Sequence, residues 1–436
     1  MFKDEILNSF KNIFKKYDCY LVGGYLRNYF LNNETSFDRD IVCLKNAKAL
    51  ALELAEFSDG TFIELDNENE IYRVVLKDKT NYFDISKCLE DDILKDIQRR
   101  DFTINSIFYD LNEEKIIDPL NAVKDIENKI IRTCNLQNLI DDPLRMLRLY
   151  RFYSKLGFEI EDELLNFTKT NFELIKNVAL ERINQEILLL FEGEFLAKTL
   201  LKMYDDGVLE AIFPFVKEIK KIPKNSHHHL DLIHHSIETV KNIRINNPLL
   251  KLSAFYHDIG KPSTWSIEPS GRHRFIGHDI AGSEIAQKEL KDLKFSKKQI
   301  SYITKMIKYH IYPATLANCP DNKKAFARFV RKLGKDSLDV IELSRADRLS
   351  AQGEDITPEI VENALNHLEN LKNYYLEVES LALEPKPLLD GKEIMEILNI
   401  KPSKLVGEML ESIKLAQLSG ELQTKEQAIE FIKKQK

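Results

Sequence analysis

The alternation of apolar and polar positions changes character once along the chain, near residue 135. Before that point β-branched and aromatic runs recur at short intervals: Tyr20-Leu21-Val22, Ile41-Val42, Tyr72-Arg73-Val74-Val75-Leu76 and Tyr82-Phe83-Asp84-Ile85. Interleaved with helical periodicity, they predict an α/β or α+β domain over residues 1–135. The N-terminus reads as one helix, with Phe2, Ile6, Phe10 and Ile13 on a common face and lysines between them. After residue 135 strand signals vanish. Segments such as LRMLRLYRFYSKLGF and ERINQEILLLFEGEFLAKTLLKMY carry apolar residues at helical spacing, and the remainder reads as almost wholly helical.

Punctuation divides that helical remainder. A stretch with Pro and Lys, Phe213-Pro214-Phe215 through Ile222-Pro223-Lys224, sets a boundary near 222, and a second falls near 350. The expected parts are 1–135, 136–222, 223–350 and 351–436, the last ending in short amphipathic helices separated by Gly and Pro. No stretch has the continuous apolar character of a signal peptide or a membrane span.

Composition narrows the field. A chain of 436 residues is too long for one core. Its formal net charge of −7, from 63 Lys+Arg against 70 Asp+Glu, excludes a uniformly basic nucleic-acid coat, so any RNA contact must use a local basic surface. Lys217 to Lys224 and the run Lys323 to Lys332 are candidates, and equally fit solvated helix faces. The five cysteines Cys19, Cys43, Cys88, Cys134 and Cys319 form no CxxC pair, which argues against a disulfide framework or a zinc-thiolate site and favours a reducing cytoplasm.

The chemistry concentrates in five motifs. Gly23 and Gly24 lie at a strand-to-helix turn, where bared backbone N–H groups can approach a triphosphate, although such a turn by itself is common. Asp38 and Asp40 flank one residue on an expected strand, so period-two geometry points both carboxylates to the same face. Adjacent carboxylates repel unless a cation lies between them, and two Mg²⁺ ions sharing them is an arrangement used for in-line nucleotidyl transfer. Arg99-Arg100-Asp101-Phe102-Thr103-Ile104-Asn105 supplies guanidinium groups suited to phosphate. In Asp141-Asp142-Pro143-Leu144-Arg145, Pro143 suits a first helical turn, Asp142 its cap, and Asp142 and Arg145 can converge on one face. Glu181-Arg182-Ile183-Asn184-Gln185-Glu186 is the fifth.

In this order the motifs resemble the class II tRNA nucleotidyltransferase and bacterial poly(A) polymerase family, over roughly residues 18–190. The resemblance implies an α+β architecture: a polymerase-β-like palm over 1–135, then an all-helical neck that selects nucleotide and binds RNA, an HD domain over 223–350 and a helical RNA-binding tail. It implies that Asp38 and Asp40 hold two catalytic Mg²⁺ ions, and that Gly23, Gly24, Arg27, Arg100, Asp101, Asn105, Arg148 and Arg151 bind the nucleotide. It also assigns base reading to Asp142 and Arg145. A carboxylate accepts from the exocyclic amino group that C and A share, while arginine donates to the adjacent ring acceptor.

The expected activity is addition of C and A to tRNA 3′ ends from CTP and ATP, with tRNA the macromolecular partner and no obligate protein partner implied. The chain departs from the family pattern at three places. Arg27 is followed by Asn28 rather than Asp, the fourth motif begins with Asp141 rather than Glu, and only Lys87 to Gln98 separates Phe83-Asp84-Ile85-Ser86 from the arginine pair. Full CCA-adding members carry a longer flexible loop there, so CC-only, A-only and poly(A) products stay open. A protein with an inert palm, acting through its HD site or by binding RNA, is the rival of another class; the intact Asp38/Asp40 and Asp142/Arg145 pairs speak against it.

Nine of the ten histidines fall between 227 and 310. His235, His257-Asp258 and Asp347 resemble the metal ligands of the HD phosphohydrolase superfamily, with His278 and His310 available to a second ion or a phosphate, and a divalent metal is expected. His227, His228, His229 and His234 are expected to include surface residues. The resemblance carries with it a phosphohydrolase activity.

Overall fold

In the computed structural model, which describes residues 4–32, 37–222, 231–317, 323–351, 356–379 and 386–434, a seven-stranded sheet frames the first of two units. The units comprise Met1–Ala211 and Ile212–Lys436. The strands are β1 (Cys19–Val22), β2 (Asp38–Cys43), β3 (Thr61–Asp66), β4 (Ile71–Val75), β5 (Tyr82–Lys87), β6 (Phe108–Asp110) and β7 (Lys115–Ile117). They lie in the order β3-β4-β5-β2-β1-β6-β7, antiparallel except where β2 runs parallel to β5.

Strand alternation separates a core face from an open one. Phe83 and Ile85 of β5 are fully buried while Tyr82, Asp84 and Ser86 are half-exposed. Helix Ala47–Ser58 packs on β4 and β5 with Leu50, Ala51 and Leu54 fully buried, and Phe10 meets Phe83 edge-on at 5.2 Å. The opposite face keeps Asp38, Asp40 and Asp84.

The single N-terminal helix expected from periodicity is broken into Glu5–Ser9 and Lys11–Phe14. Asp4 caps the first piece and also accepts from Tyr25 Oη at 2.7 Å and Arg39 Nε at 2.9 Å, so its cap is tied to the sheet. Phe10 turns into the core between the pieces; Phe2 lies outside the described residues.

The absence of strands beyond residue 136 also needs correction. Glu159–Ile160 pairs parallel with Ile130–Ile131, and Ser266–Ile267 pairs with His273–Arg274. Two-residue strands are too short to leave a period in the sequence.

Helix Leu144–Leu156 packs on Leu180–Phe191 and ends at Gly157, whose φ of +66° is the left-handed stop that glycine adopts at low cost. In the second unit, helices Leu232–Asn242, Pro248–Tyr256, Lys297–Tyr309 and Ser337–Ser350 pack on one another, with His278–Asp292 against Lys297–Tyr309. Asn247 caps Pro248–Tyr256 through Leu249 N and Leu250 N, with Pro248 in the first turn. Leu389, Ile394, Met409, Ile413 and Ile432 close a separate small core among the last three helices. Among the described residues no helix is long and apolar enough to cross a membrane.

Candidate metal centres and a phosphate cavity

Oxygens of Asp38, Asp40 and Asp84 come within 4.8 Å of one another on the open face of the sheet. The parallel register of β2 and β5 sets Asp40 opposite Asp84, and the antiparallel register of β4 and β5 sets Arg73 opposite Asp84. Arg73 holds Asp84 through two bonds of 2.6 Å each. Burial, and then Asp38, push the Asp40 carboxyl up to about 7; burial and Asp84 raise that of Asp38. A protonated acid relieves such crowding only weakly, whereas a hard divalent cation suits an all-oxygen donor set. The three carboxylates therefore fit a cation. Asp84 escaped the sequence reading, because alternation shows it facing away from Phe83 and Ile85 but only strand pairing brings it beside Asp40.

Gly23 is required here by contact. Its φ is +75°, and a Cβ built on it would stand 2.8 Å from Asp40 Oδ2.

All twelve residues singled out from sequence in this unit line one cavity of about 570 Å³, together with Arg99, Phe152, Lys155 and Glu186. Helix Leu144–Leu156 supplies Arg145, Arg148, Arg151, Phe152 and Lys155 from one side at helical spacing. The guanidiniums of Arg27 and Arg151 stand 5.2 and 4.2 Å from the Phe152 ring centroid. Arg148 pairs with Asp101 at 2.6 Å and Arg151 with Glu186 at 2.9 Å. Asn105 donates to Asp101 at 3.0 Å and accepts from Arg27 at 2.5 Å. Buried Asp96 holds Arg99 at 2.7 Å and Arg100 at 3.3 Å, anchoring the arginine pair. Burial, with Arg27 and Arg151 nearby, pushes the Lys155 ammonium down. A bound polyphosphate would relieve that positive potential.

Asp142 does not cap the helix that follows. Pro143 takes the cap position without a side-chain bond, and the Asp142 carboxylate accepts from Arg182 at 2.8 Å, with Arg145 Nε at 4.0 Å. Arg182 belongs to the fifth motif, which carried no assignment from sequence. Arg145 donates to the carbonyl of Arg99 at 2.7 Å.

The second unit gathers His235, His257, Asp258 and Asp347 with His278 and His310. His235 and His257 face each other Nε2 to Nε2 at 3.2 Å, as do His278 and His310. Asp347 Oδ1 lies 3.0 Å from His235 Nε2, and Asp258 Oδ2 lies 3.3 Å from His257 Nε2. On the far side of the rings, Nδ1 of His257, His278 and His310 contacts the carbonyls of Ala254, Phe275 and Ile307 at 2.7, 2.8 and 2.6 Å. A carbonyl only accepts, so those Nδ1 atoms carry a proton and the Nε2 atoms converge inward, the orientation imposed on metal-bound imidazoles. Against the effect of burial, Asp258 and then Asp347 hold His257 up at about 10, while burial and then His257 push His310 down to about 3. Mixed imidazole and carboxylate donors fit a divalent transition ion. His234 stays outside the cluster and pairs with Asp231 at 2.7 Å, and His227, His228 and His229 lie outside the described residues.

The basic run 323–332 is partly committed within its own unit. Arg331 pairs with Glu411, Lys324 with Glu421 at 2.7 Å, and Lys332 lies 5.0 Å from the Tyr309 ring.

Comparison with known proteins finds three family models along the chain. Residues 19–132 match the model of the Poly A polymerase head domain, 157–220 that described as "Probable RNA and SrmB- binding site of polymerase A", and 227–352 that of the HD domain. An A-adding tRNA nucleotidyltransferase of Deinococcus radiodurans is 29% identical, covering 95% of this chain and 94% of that one. A CC-adding tRNA nucleotidyltransferase of Synechocystis is 27% identical over 94% and 92%. The Bacillus stearothermophilus CCA-adding enzyme, solved in complex with CTP, superposes with a TM-score of 0.68 at 21% identity, covering 99% and 96%. Three family models in sequence and relatives matched along nearly the whole chain carry one conclusion: the chain joins a Poly A polymerase head domain to an HD domain, is similar to tRNA nucleotidyltransferases along its length, and shares the fold of CCA-adding enzymes.

Proposed function

We propose that this protein adds C and A to the 3′ end of tRNA, taking CTP and ATP and releasing pyrophosphate. The observation that carries the reading is the cavity of the first unit, where three carboxylates face a row of arginines on helix Leu144–Leu156 and the Asp142/Arg145 pair stands in the same space. The attacking 3′-hydroxyl forms a phosphodiester at the α-phosphorus while the α–β anhydride bond breaks. Asp38, Asp40 and Asp84 would hold Mg²⁺, which supplies Lewis-acid polarisation of the reacting phosphate. Arg27, Arg100, Arg148 and Arg151 orient the triphosphate, Asp101 and Asn105 fix that array, and Asp142 with Arg145 rewards an amino-bearing base edge.

A second reading has its own support. The segment between β5 and the arginine pair holds the helix Ile93–Gln98, capped by Asp92 through Leu94 N and Lys95 N, where longer family members carry a flexible loop. Relatives matched over nearly the full length include both an A-adding and a CC-adding enzyme. A product of CC alone or A alone is consistent with so short a segment. Incubating the protein with CTP, with ATP and with both, on tRNA ending before CC, after CC and after CCA, and sequencing the products, separates these outcomes. Extension of none of the three primers would overturn the reading altogether.

For the second unit we infer a divalent metal held by His235, His257, Asp258 and Asp347, with His278 and His310 beside it, and a phosphohydrolase activity. Convergence of the Nε2 atoms on the carboxylates of Asp258 and Asp347 supports it.

A further inference from the structure

The cavity beside the imidazole cluster is larger than a metal site needs. It encloses about 510 Å³, bounded at one end by that cluster and walled by Phe275, Ile311, Ala314 and Leu368. A space of this order holds a ligand of mononucleotide size against an apolar wall, and it is too small for a length of folded RNA.

Arg348 follows Asp347 in the chain and lines the same cavity. Its Nε and Nη2 are buried and make no hydrogen bond among the described residues. A guanidinium keeps its charge in such a place, and charged donors buried without acceptors are costly. An anion in the cavity removes that cost, and the planar fork matches two oxygens of a phosphate. Of the other cations lining the cavity, Lys261 is already committed to Asp258 at 2.6 Å and Arg272 is exposed.

His367 adds a second polar group. Its Nε2 contacts the carbonyl of Pro313 at 3.0 Å and must therefore carry the proton. Its Nδ1 is a buried lone pair with no partner among the described residues. Such an acceptor suits a hydroxyl or amino group.

We propose that this cavity binds a phosphomonoester borne on a group of nucleoside size, with Arg348 taking the phosphate, the apolar wall taking the base and His367 accepting from a sugar hydroxyl or base amine. The proposal rests on reading the cluster as a metal centre, and it makes Arg348 and His367 the residues that decide what the centre acts on.

The chain carries its own reporter. Trp265 is the single tryptophan, and its ring centroid lies 5.5 Å from that of His273, which lines the cavity. Tryptophan fluorescence of the whole protein is followed during titration with AMP, adenosine and inorganic phosphate, in chelator and again with Mn²⁺, whose uptake is measured separately. AMP is expected to saturate the signal at a lower concentration than either fragment. Arg348→Gln should weaken AMP about 10- to 100-fold while leaving adenosine unchanged, and Arg348→Lys should recover part of the loss. His367→Ala should weaken AMP and adenosine together and spare phosphate. Equal affinity for AMP and adenosine, or AMP binding indifferent to Arg348, overturns the proposal; with Mn²⁺ still bound, the metal reading survives that failure. AMP held through Arg348 without any Mn²⁺ uptake keeps the phosphate site and overturns the metal centre instead.

Discussion

The carboxylate of Asp142 lies 2.8 Å from the guanidinium of Arg182, forty positions later in the chain, and makes no capping bond to the backbone of the helix it precedes. That pairing leaves Asp142 a poor candidate for a helix cap and a good one for recognition, since an exposed partner such as Arg182 can exchange it for a base. Asp142→Ala should let UTP and GTP gain relative to CTP and ATP by about 5- to 150-fold, the worth of a lost bidentate base contact of roughly 1–3 kcal/mol. Melting should change little. Specificity constants for all four nucleotides on one primer decide it: an unchanged CTP-to-UTP ratio removes the templating role.

The two candidate metal centres belong to different units, so their losses should separate. Asp40→Ala is expected to abolish nucleotide addition and leave metal uptake by the second unit intact, with His257→Ala doing the reverse. Loss of both properties in either variant, with circular dichroism unchanged, would contradict two independent sites.

Asp84 should behave as a ligand rather than as a mere partner of Arg73. Asp84→Asn keeps an acceptor for Arg73 but removes a charge, and the Mg²⁺ concentration for half-maximal addition should rise by a factor on the order of 10. A rate that falls at every Mg²⁺ concentration by the same factor would assign Asp84 a structural role.

Gly23→Ala tests the close approach of backbone to Asp40. The left-handed φ costs an alanine about 1–2 kcal/mol, and the new Cβ must displace Asp40 Oδ2. Addition should fall far more than thermal stability does. A variant that melts lower yet extends tRNA at the normal rate would show that the contact is dispensable.

Glu289 gives a pH signature in the second unit. Burial pushes its carboxyl from about 4.5 up to about 7, while the Tyr256 hydroxyl donates to it at 3.2 Å. A raised value means the folded state favours the protonated form, so its contribution is complete below about 4.5 and is lost as pH rises through about 7. Glu289→Gln should melt close to wild type at pH 4.5 and higher than wild type at pH 8, with up to about 3 kcal/mol at stake. Parallel melting curves across that range would rule out a buried proton at this site.

Much of the cavity in the first unit was legible because its parts are local. Asp38 and Asp40 share a face since strand side chains alternate, and Arg145, Arg148 and Arg151 share one since helical positions three apart do. Gly23 stood out for a related reason, as a glycine at a strand-to-helix turn. The histidine cluster was legible through its spacing and its residue types, which few other chemistries combine.

What sequence alone determined, then, was the set of chemical groups and the short-range geometry that binds them, because φ and ψ preferences act within a few residues. Tertiary structure decided the partners. Asp84 reaches Asp40 only through the parallel register of β2 and β5, Asp142 meets Arg182 only because helices Leu144–Leu156 and Leu180–Phe191 pack together, and Arg348, with its Nε and Nη2 buried, lines a cavity that no local pattern announces. Each of these depends on closing loops of tens of residues and on the packing that repays the closure, and neither is written in the periodicity of any one segment.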